Sequence, residues 1–439
     1  MMAAAAHFSS SRRVLQADRI FDGESVRYGE AVVIDGDTIA AVIPAQALPP
    51  GLPILTFPGC TLLPGLIDMH VHFMRWEGPL FLAYGVTTVR DVGNNLDWIL
   101  ARRGEWNAQP WPRIYTFGCI LDGPDPLHGD CARACRDAAS ARAAVVEVAA
   151  AGVDGIKLYV GIQPEWLPGM VKEAHSAGLH VAMHCGVATA LTAAAAGVNE
   201  CFHLDGLLAD FWADNPGGWL SAWGLPGCAE RFDRQKEIAD RISESRITAT
   251  PTLAWWDTNW RRLAPGYPGD DDIADIPADI VAWQCADCRP DPATSELWRR
   301  ALEAAQRFVG LLLERDVPVF AGTDVFCNML RPGQSLWHEL ALLTECGMSP
   351  IDALRTATSR AAACLGNGRL GRIAPGCSAD LVAVRGDPTR EIPAHPNVVT
   401  VARAGKVFNP ADLQDMASWS ESAAAADPWR TEFAKATKP

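Results

Sequence analysis

Short apolar segments recur through the middle of the sequence, and polar or helical stretches follow them. The eight segments are LPGLIDMHVH, GVTTVRDV, RIYTFGCI, GVDGIKLYV, LHVAMHCG, VNECFHLDG, ITATPTLAW and VPVFAGTDV. We interpret each as a strand, and several of the intervening stretches, such as RAAVVEVAAAG, have helical patterns. Strands that alternate with helices predict a parallel sheet, and eight of them predict an α/β fold of the closed (β/α)8 type, a TIM barrel.

Both ends of the sequence have a different texture, with short β-rich runs separated by turns. Asp-Gly pairs in AVVIDGDTIAAVI mark hairpin turns, and GRIAPGCSADLVAVRGD near the other end has the same character. We therefore predict that residues 12–60 and 369–410 form one small β-sandwich domain together. The barrel then occupies residues 61–368, and residues 411–439 form a C-terminal tail.

Two connections of the predicted barrel, at about residues 207–246 and 255–294, are too long to be simple linkers. Long connections in compact domains are usually functional or disordered, and tryptophan-rich segments are poor candidates for disorder. We expect a lid over the site or an oligomer contact, while simple anchoring of the loops to the barrel is the alternative. These connections and their flanks hold Trp212, Trp219, Trp223, Trp255, Trp256, Trp260, Trp283 and Trp298.

Composition restricts the class of partner. A formal net charge of −14 over 439 residues argues against nucleic acid and anionic membrane surfaces, since both require clustered basic residues. No apolar run reaches the roughly 18 residues of a membrane-spanning helix, and the first residues do not resemble a secretory signal. Thirteen cysteines, an odd number, favour reduced thiols in the cytoplasm, although Cys285 and Cys288 have metal or redox spacing. We expect a small-molecule substrate.

Two histidines lie at the end of the first predicted strand. Because successive strand residues point to opposite faces, His70 and His72 share a face and project together. Neutral imidazoles held in this way form half of a metal site. Other strands also end in polar residues that a barrel would bring around one axis. These residues are Lys157, His184, His203 and Asp324.

This pattern resembles the amidohydrolase superfamily over nearly the whole sequence. Within the superfamily, the sequence is most similar to the prolidase-like group, which includes metal-dependent dipeptidases and ochratoxin-type amidases. The resemblance implies homo-oligomers in many members. The matching motifs are PGLIDMHVH at 64–72, GVTTVRDVG at 85–93, GIKLY at 155–159, His184, His203, AGTD at 321–324 and LGRIAPGCSADLVAV at 370–384.

The resemblance implies two divalent metal ions. His70, His72 and Asp324 would bind the first, and His184 and His203 the second. Lys157 would bridge them as a carbamate, because a neutral amine can add carbon dioxide and become a carboxylate. Imidazole and carboxylate ligands suit zinc, although manganese and cobalt also fit. A core lysine paired with a carboxylate is the alternative interpretation of Lys157.

The implied chemistry is attack of a metal-bridging hydroxide on an amide carbonyl. Coordination lowers the pKa of water to roughly 7, and Asp324 would pass the proton to the leaving nitrogen. His128 and Tyr159 are candidate substrate contacts, with packing below the metals as the alternative for Tyr159. Arg90 is a candidate carboxylate partner or a structural residue.

We therefore expect a metal-dependent amidase that cleaves a small N-acyl amino acid or dipeptide, with an apolar or aromatic group as in ochratoxin. The alternatives are hydrolysis of a cyclic amide, a lactone or an organophosphate by the same superfamily. Relatives that open cyclic amides work with one metal and lack the bridging lysine, so Lys157 counts against that alternative. A non-catalytic scaffold is the remaining alternative, but such relatives lose metal ligands.

Overall fold

The computed structural model describes residues 12–204, 232–269, 276–285, 289–325, 329–418 and 428–429. Its strands are β1 (Arg12–Phe21), β2 (Val26–Tyr28), β3 (Glu30–Asp35), β4 (Thr38–Pro44), β5 (Ile54–Pro64), β6 (Leu66–Val71), β7 (Val86–Asp91), β8 (Arg113–Thr116), β9 (Ile120–Asp122), β10 (Ala132–Ala134), β11 (Gly155–Leu158), β12 (His180–His184), β13 (Glu200–Phe202), β14 (Thr248–Thr250), β15 (Leu381–Arg385), β16 (Val398–Arg403) and β17 (Lys406–Phe408).

Its α-helices are α1 (Glu77–Ala83), α2 (Leu96–Glu105), α3 (Ala138–Ala150), α4 (Leu167–Ser176), α5 (Ala190–Ala195), α6 (Phe232–Ser245), α7 (Leu253–Arg261), α8 (Ala278–Gln284), α9 (Pro292–Leu313), α10 (Gln334–Glu345), α11 (Pro350–Thr356), α12 (Ser359–Cys364) and α13 (Pro410–Ser418). Side chains that accept a backbone N–H begin several of them, as Asp137 does for α3 and Ser349 for α11. Along the described part of the chain, no helix has both the length and the apolar character needed to cross a bilayer.

Strands from both ends of the chain form one eight-stranded mixed sheet. Its order is β17-β16-β15-β5-β1-β3-β4, and β2 pairs with the end of β1 that lies beyond its pairing with β3. The antiparallel pairing of β5 with β15 joins the N-terminal segment to the C-terminal segment. Leu15, Val32, Leu62 and Leu381 are buried together beneath this sheet. The two-layer sandwich and the boundaries that the sequence suggests for this region stay predictions.

The middle of the chain forms an α/β fold with two parallel sheets, as the alternating pattern predicts. One sheet has the order β10-β9-β11-β12-β13-β14, and the other has the order β6-β7-β8. Isolated parallel bridges connect Val71 with Val325 and Ala249 with Val319, so the eighth predicted segment lies between β14 and β6. Within the described residues, the hydrogen-bonded ladders do not close into one continuous barrel.

Three predicted strands are wrong at least in part. The segment VPVFAGTDV forms no regular strand, and only Val319 and Val325 in it make isolated bridges. The segment RIYTFGCI is two strands, β8 and β9, because Gly118 between them adopts a left-handed φ of 70°. The segment ITATPTLAW is extended only to Thr250. Pro251 cannot donate a ladder hydrogen bond, Thr252 has a φ of 52°, and α7 begins at Leu253.

The two long connections contain helices where they are described. Residues 205–231, with Trp212, Trp219 and Trp223, lie outside the described residues, as does the side chain of Trp283. Trp255 and Trp256 on α7 pack edge-to-face against Trp298 on α9, with ring centroids 5.4 and 5.9 Å from Trp298. Trp256 is fully buried. For these three rings, the packing favours anchoring of the second long connection to the rest of the fold over a role in a lid or an oligomer contact.

Candidate metal centre

Six polar side chains lie at the carboxyl-terminal edge of the two parallel sheets, five of them in a strand or directly after one. His70 ends the apolar part of β6 and His72 comes one residue after it, while Lys157 lies in β11. His184 is the last residue of β12, and His203 directly follows β13. Asp324 precedes the bridge residue Val325. Because parallel strands run in the same direction, their carboxyl ends lie at one edge of the sheet, and the six side chains meet there.

The first group consists of His70, His72 and Asp324. Oδ1 of Asp324 lies 3.1 Å from Nε2 of His70 and 3.3 Å from Nε2 of His72. The other ring nitrogen of His72, Nδ1, is 2.7 Å from the carbonyl oxygen of Gly93. If Nδ1 donates to that carbonyl, Nε2 keeps its lone pair and faces Asp324, as a metal ligand requires.

The second group consists of His184, His203 and Lys157. The ring centroids of His184 and His203 are 4.3 Å apart, and His203 lies 4.7 Å from the His70 ring, which joins the two groups. Nδ1 of His203 is 2.8 Å from the hydroxyl of Thr252. Nζ of Lys157 lies 4.0 Å from the centroid of the Phe202 ring, and the side chain is 1% exposed.

Buried hydrogen bonds hold the first group together. The carboxylate of Asp68 accepts from the Thr323 hydroxyl at 2.8 Å and from the backbone N–H groups of Thr323 and His70. Gly322 lets the two segments approach, since a Cβ there would lie 2.7 Å from Cβ of His70. Asp324 has a φ of 67°, in the left-handed region, which few residues other than glycine adopt and which occurs often at functional sites.

Burial disfavours the charged forms of two of the nitrogen donors, His70 and Lys157. Loss of hydration and the nearby Lys157 lower the pKa of His70 to about 3. Burial likewise lowers the pKa of Lys157 from 10.5 to about 7, because the interior disfavours the ammonium form. Burial alone would raise the pKa of Asp324, but the imidazoles of His70 and His72 outweigh it and hold that pKa well below its usual range.

This donor set fits divalent metal ions. His70, His203 and Asp324 each offer one ligating atom, and the three atoms lie within 4.8 Å of one another. His70 is completely buried, yet neither of its ring nitrogens makes a well-aligned hydrogen bond. A buried polar atom without such a bond is costly, and a bound cation would satisfy it. Neutral imidazoles and an ionised carboxylate are the ligands that zinc and similar ions prefer.

The two predicted substrate contacts lie beside each other. Nε2 of His128 is 2.9 Å from the hydroxyl oxygen of Tyr159, and the Tyr159 ring is 5.0 Å from that of His184. His128 directly precedes a short 3-10 turn, Gly129–Cys131. The structure therefore brings both side chains to the rim of the candidate metal centre.

A second cluster of metal-ligating residue types, His180, Glu200 and Cys364, lies at the opposite ends of the strands. Here Arg90 already neutralises Glu200, with nitrogen–oxygen distances of 2.6 and 2.8 Å. Arg90 also donates to the carbonyl of Met69. A guanidinium beside the carboxylate disfavours a cation, so this cluster is an ion-pair network. Arg90 is therefore a structural residue, one of the two alternatives that the sequence left open.

Sequence reasoning missed several residues that support the centre. Asp68 belongs to the quoted PGLIDMHVH motif, and a carboxylate inside an apolar strand was a signal that it has a role. Thr252 and Gly93 act through contacts between segments that are far apart in sequence, so no local pattern marks them. Trp429, from the predicted tail, lies with its ring centroid 4.9 Å from that of His72, and no signal in the sequence indicated it.

A protein-family model described as "Amidohydrolase family" matches residues 80–410. The chain belongs to the amidohydrolase family. It is a hydrolase of the amidohydrolase superfamily, whose members are generally metal-dependent. This confirms the resemblance that the strand-end motifs indicated. No curated protein matches this amidohydrolase-family sequence significantly.

Several solved structures resemble this chain in fold over almost its whole length. A bottromycin amidohydrolase aligns with a TM-score of 0.73 and 24% sequence identity, and the alignment covers 95% of this chain and 92% of the amidohydrolase chain. A Xaa-Pro dipeptidase with bound methionine has a TM-score of 0.69 and 22% identity, covering 91% and 100%. The ochratoxinase of A. niger has a TM-score of 0.67 and 18% identity, covering 91% and 96%. At these identities the likeness shows the shared fold alone.

Proposed function

We propose that this member of the amidohydrolase family is a metal-dependent amidase that cleaves the amide bond of a small N-acyl amino acid or dipeptide. The observation that supports this most is the approach of Oδ1 of Asp324 to the Nε2 atoms of His70 and His72, at 3.1 and 3.3 Å. A carboxylate between two imidazoles is suited to binding a cation and to moving a proton.

In this proposal His70, His72 and Asp324 would hold one divalent ion, and His184 and His203 would hold a second. Lys157, whose lowered pKa favours the neutral amine, would add carbon dioxide to become a carbamate and so supply a further carboxylate ligand. Zinc is the expected metal because the ligands are imidazoles and carboxylates. Bound in this way, the ions would activate water at neutral pH and polarise the scissile carbonyl.

The chain's own groups would manage the proton and the substrate. Asp324 stays ionised because of the imidazoles beside it, so it can accept the proton of the attacking water and return it to the leaving nitrogen. Tyr159 and His128 would orient the substrate, with the Tyr159 hydroxyl donating to a carbonyl or a carboxylate oxygen. Their mutual contact of 2.9 Å holds both polar groups at the rim of the site.

The finer architecture belongs to the same proposal. The two parallel sheets would be arcs of one (β/α)8 barrel, since the bridges at Val71–Val325 and Ala249–Val319 lie on the path between them. The eight-stranded sheet would be the small domain built from both chain ends. A homo-oligomer in the cytoplasm stays a prediction from the sequence.

A substrate screen tests the proposal. The zinc-loaded chain is assayed with N-acyl amino acids, dipeptides and aryl amides, and with esters and lactones of matched size. We expect release of a free amine from at least one amide, and loss of that activity in D324N and after chelation. Turnover of only the lactones or esters, or amide turnover that D324N leaves intact, would contradict the proposal.

A further inference from the structure

Trp429 lies inside the candidate metal centre although it comes from the last eleven residues of the chain. Its side chain is 1% exposed. The ring centroid lies 4.9 Å from that of His72 and 5.0 Å from that of His128, both in edge-to-face geometry. The indole therefore spans the gap between a proposed metal ligand and a proposed substrate contact.

The indole also shares a hydrogen-bond acceptor with His72. Nε1 of Trp429 donates to the carbonyl oxygen of Gly93 at 3.0 Å, and Nδ1 of His72 lies 2.7 Å from the same oxygen. A carbonyl oxygen has two lone pairs and can accept both. The buried carboxylate of Asp91 accepts from the N–H of Gly93 at 3.3 Å and from the Asn94 amide at 2.9 Å, which fixes the loop that presents this carbonyl.

We infer that Trp429 is a positioning residue for His72. The carbonyl that Trp429 holds determines which ring nitrogen of His72 is protonated, so Nε2 stays available to a cation. This inference rests on the metal centre of the proposed function and adds a residue that supports it.

Three full-length variants test this role. W429F keeps an aromatic ring but removes the N–H donor, whereas W429A removes both. W337F is the matched control, because Trp337 is also buried and its Nε1 donates to the carbonyl oxygen of Tyr84 at 2.9 Å. Melting temperatures of the three variants show how much of each effect comes from stability alone.

The measurement is metal affinity, determined by competition with a chromophoric chelator for zinc. Loss of an outer partner of a ligating histidine typically weakens metal binding by about tenfold or more. We expect a loss of about tenfold in W429F and W429A and no change in W337F. Wild-type affinity in both Trp429 variants would overturn the positioning role. This readout does not require turnover, so it remains decisive even if the chain cleaves no amide.

Discussion

Oδ1 of Asp324 lies 3.1 Å from Nε2 of His70, at a point where the imidazole is fully buried and the carboxylate nearly so. The backbone fixes this approach as well, since the N–H of Asp324 donates to the carbonyl of His70 at 2.8 Å. Two segments from opposite ends of the middle region are thereby joined at the edge where the proposed ligands meet. The distance makes the pair a preformed half of a metal site.

Lys157 offers a test of the proposed carbamate. Replacement with alanine removes a buried amine whose pKa is lowered to about 7. Loss of a residue that hydrogen-bonds a metal ligand typically lowers activity roughly ten- to hundredfold, and we expect K157A to lose more than this. Added formate or acetate should restore part of the lost activity. The exposed Lys172 gives the control, and K172A should behave like the wild type. Full activity of K157A without added acid would rule out the bridge.

Glu339 on α10 should make stability depend on pH. Its fully buried carboxyl accepts from the N–H of Ala254 at 2.7 Å, and burial raises its pKa from 4.5 to about 8. Below pH 4.5 the Glu339 carboxyl is protonated in both the folded and the unfolded chain, so its contribution to the free energy of unfolding is fully present. Between pH 4.5 and 8 only the unfolded chain releases the proton, and stability falls by up to about 1.4 kcal/mol per pH unit.

We therefore expect E339Q to melt with a flatter dependence on pH than the wild type, and to gain most relative to it near pH 8. The exposed Glu345 on the same helix is the control, and E345Q should keep the wild-type slope. Melting temperatures recorded from pH 5 to 8 measure this. If the melting temperatures of E339Q and the wild type changed equally with pH, the Glu339 carboxyl would not titrate in the expected range.

The buried pair of Arg90 and Glu200 should be costly to break. Among the described residues, R90M leaves the buried Glu200 carboxylate with His180 and Thr250 as its remaining side-chain partners. Loss of one member of a buried ion pair typically destabilises a protein by about 3–5 kcal/mol. Arg299 pairs with Glu296 at the surface, where such pairs contribute about 1 kcal/mol or less. A melting temperature lowered no further by R90M than by R299M would contradict this expectation.

The sequence predicted the parts of the site that depend on local periodicity. His70 and His72 alternate along a strand, and Asp324 ends an apolar segment, so the rule that strand ends converge placed all three near one another. The element boundaries were less predictable, because Gly118 and Pro251 end strands through backbone geometry that apolar patterning does not reveal.

The rest of the site depends on contacts that only the folded chain makes. Thr252 reaches His203 after a left-handed turn, and Trp429 reaches His72 from the far end of the chain. Neither contact leaves a periodic trace in the sequence. The pairing of Arg90 with Glu200, outside the site, was also hidden, because the two residues lie 110 positions apart in sequence.

Anomalous diffraction at the zinc edge, from a crystal soaked in zinc, tests the proposed metal centre most directly. Two strong peaks per chain are expected, one among His70, His72 and Asp324 and one beside His184 and His203. Crystals of the H70N/D324N double variant should lose the first peak. Zinc found only on surface residues, with the six side chains bare of metal, would contradict the proposed metal centre and the amidase mechanism that rests on it.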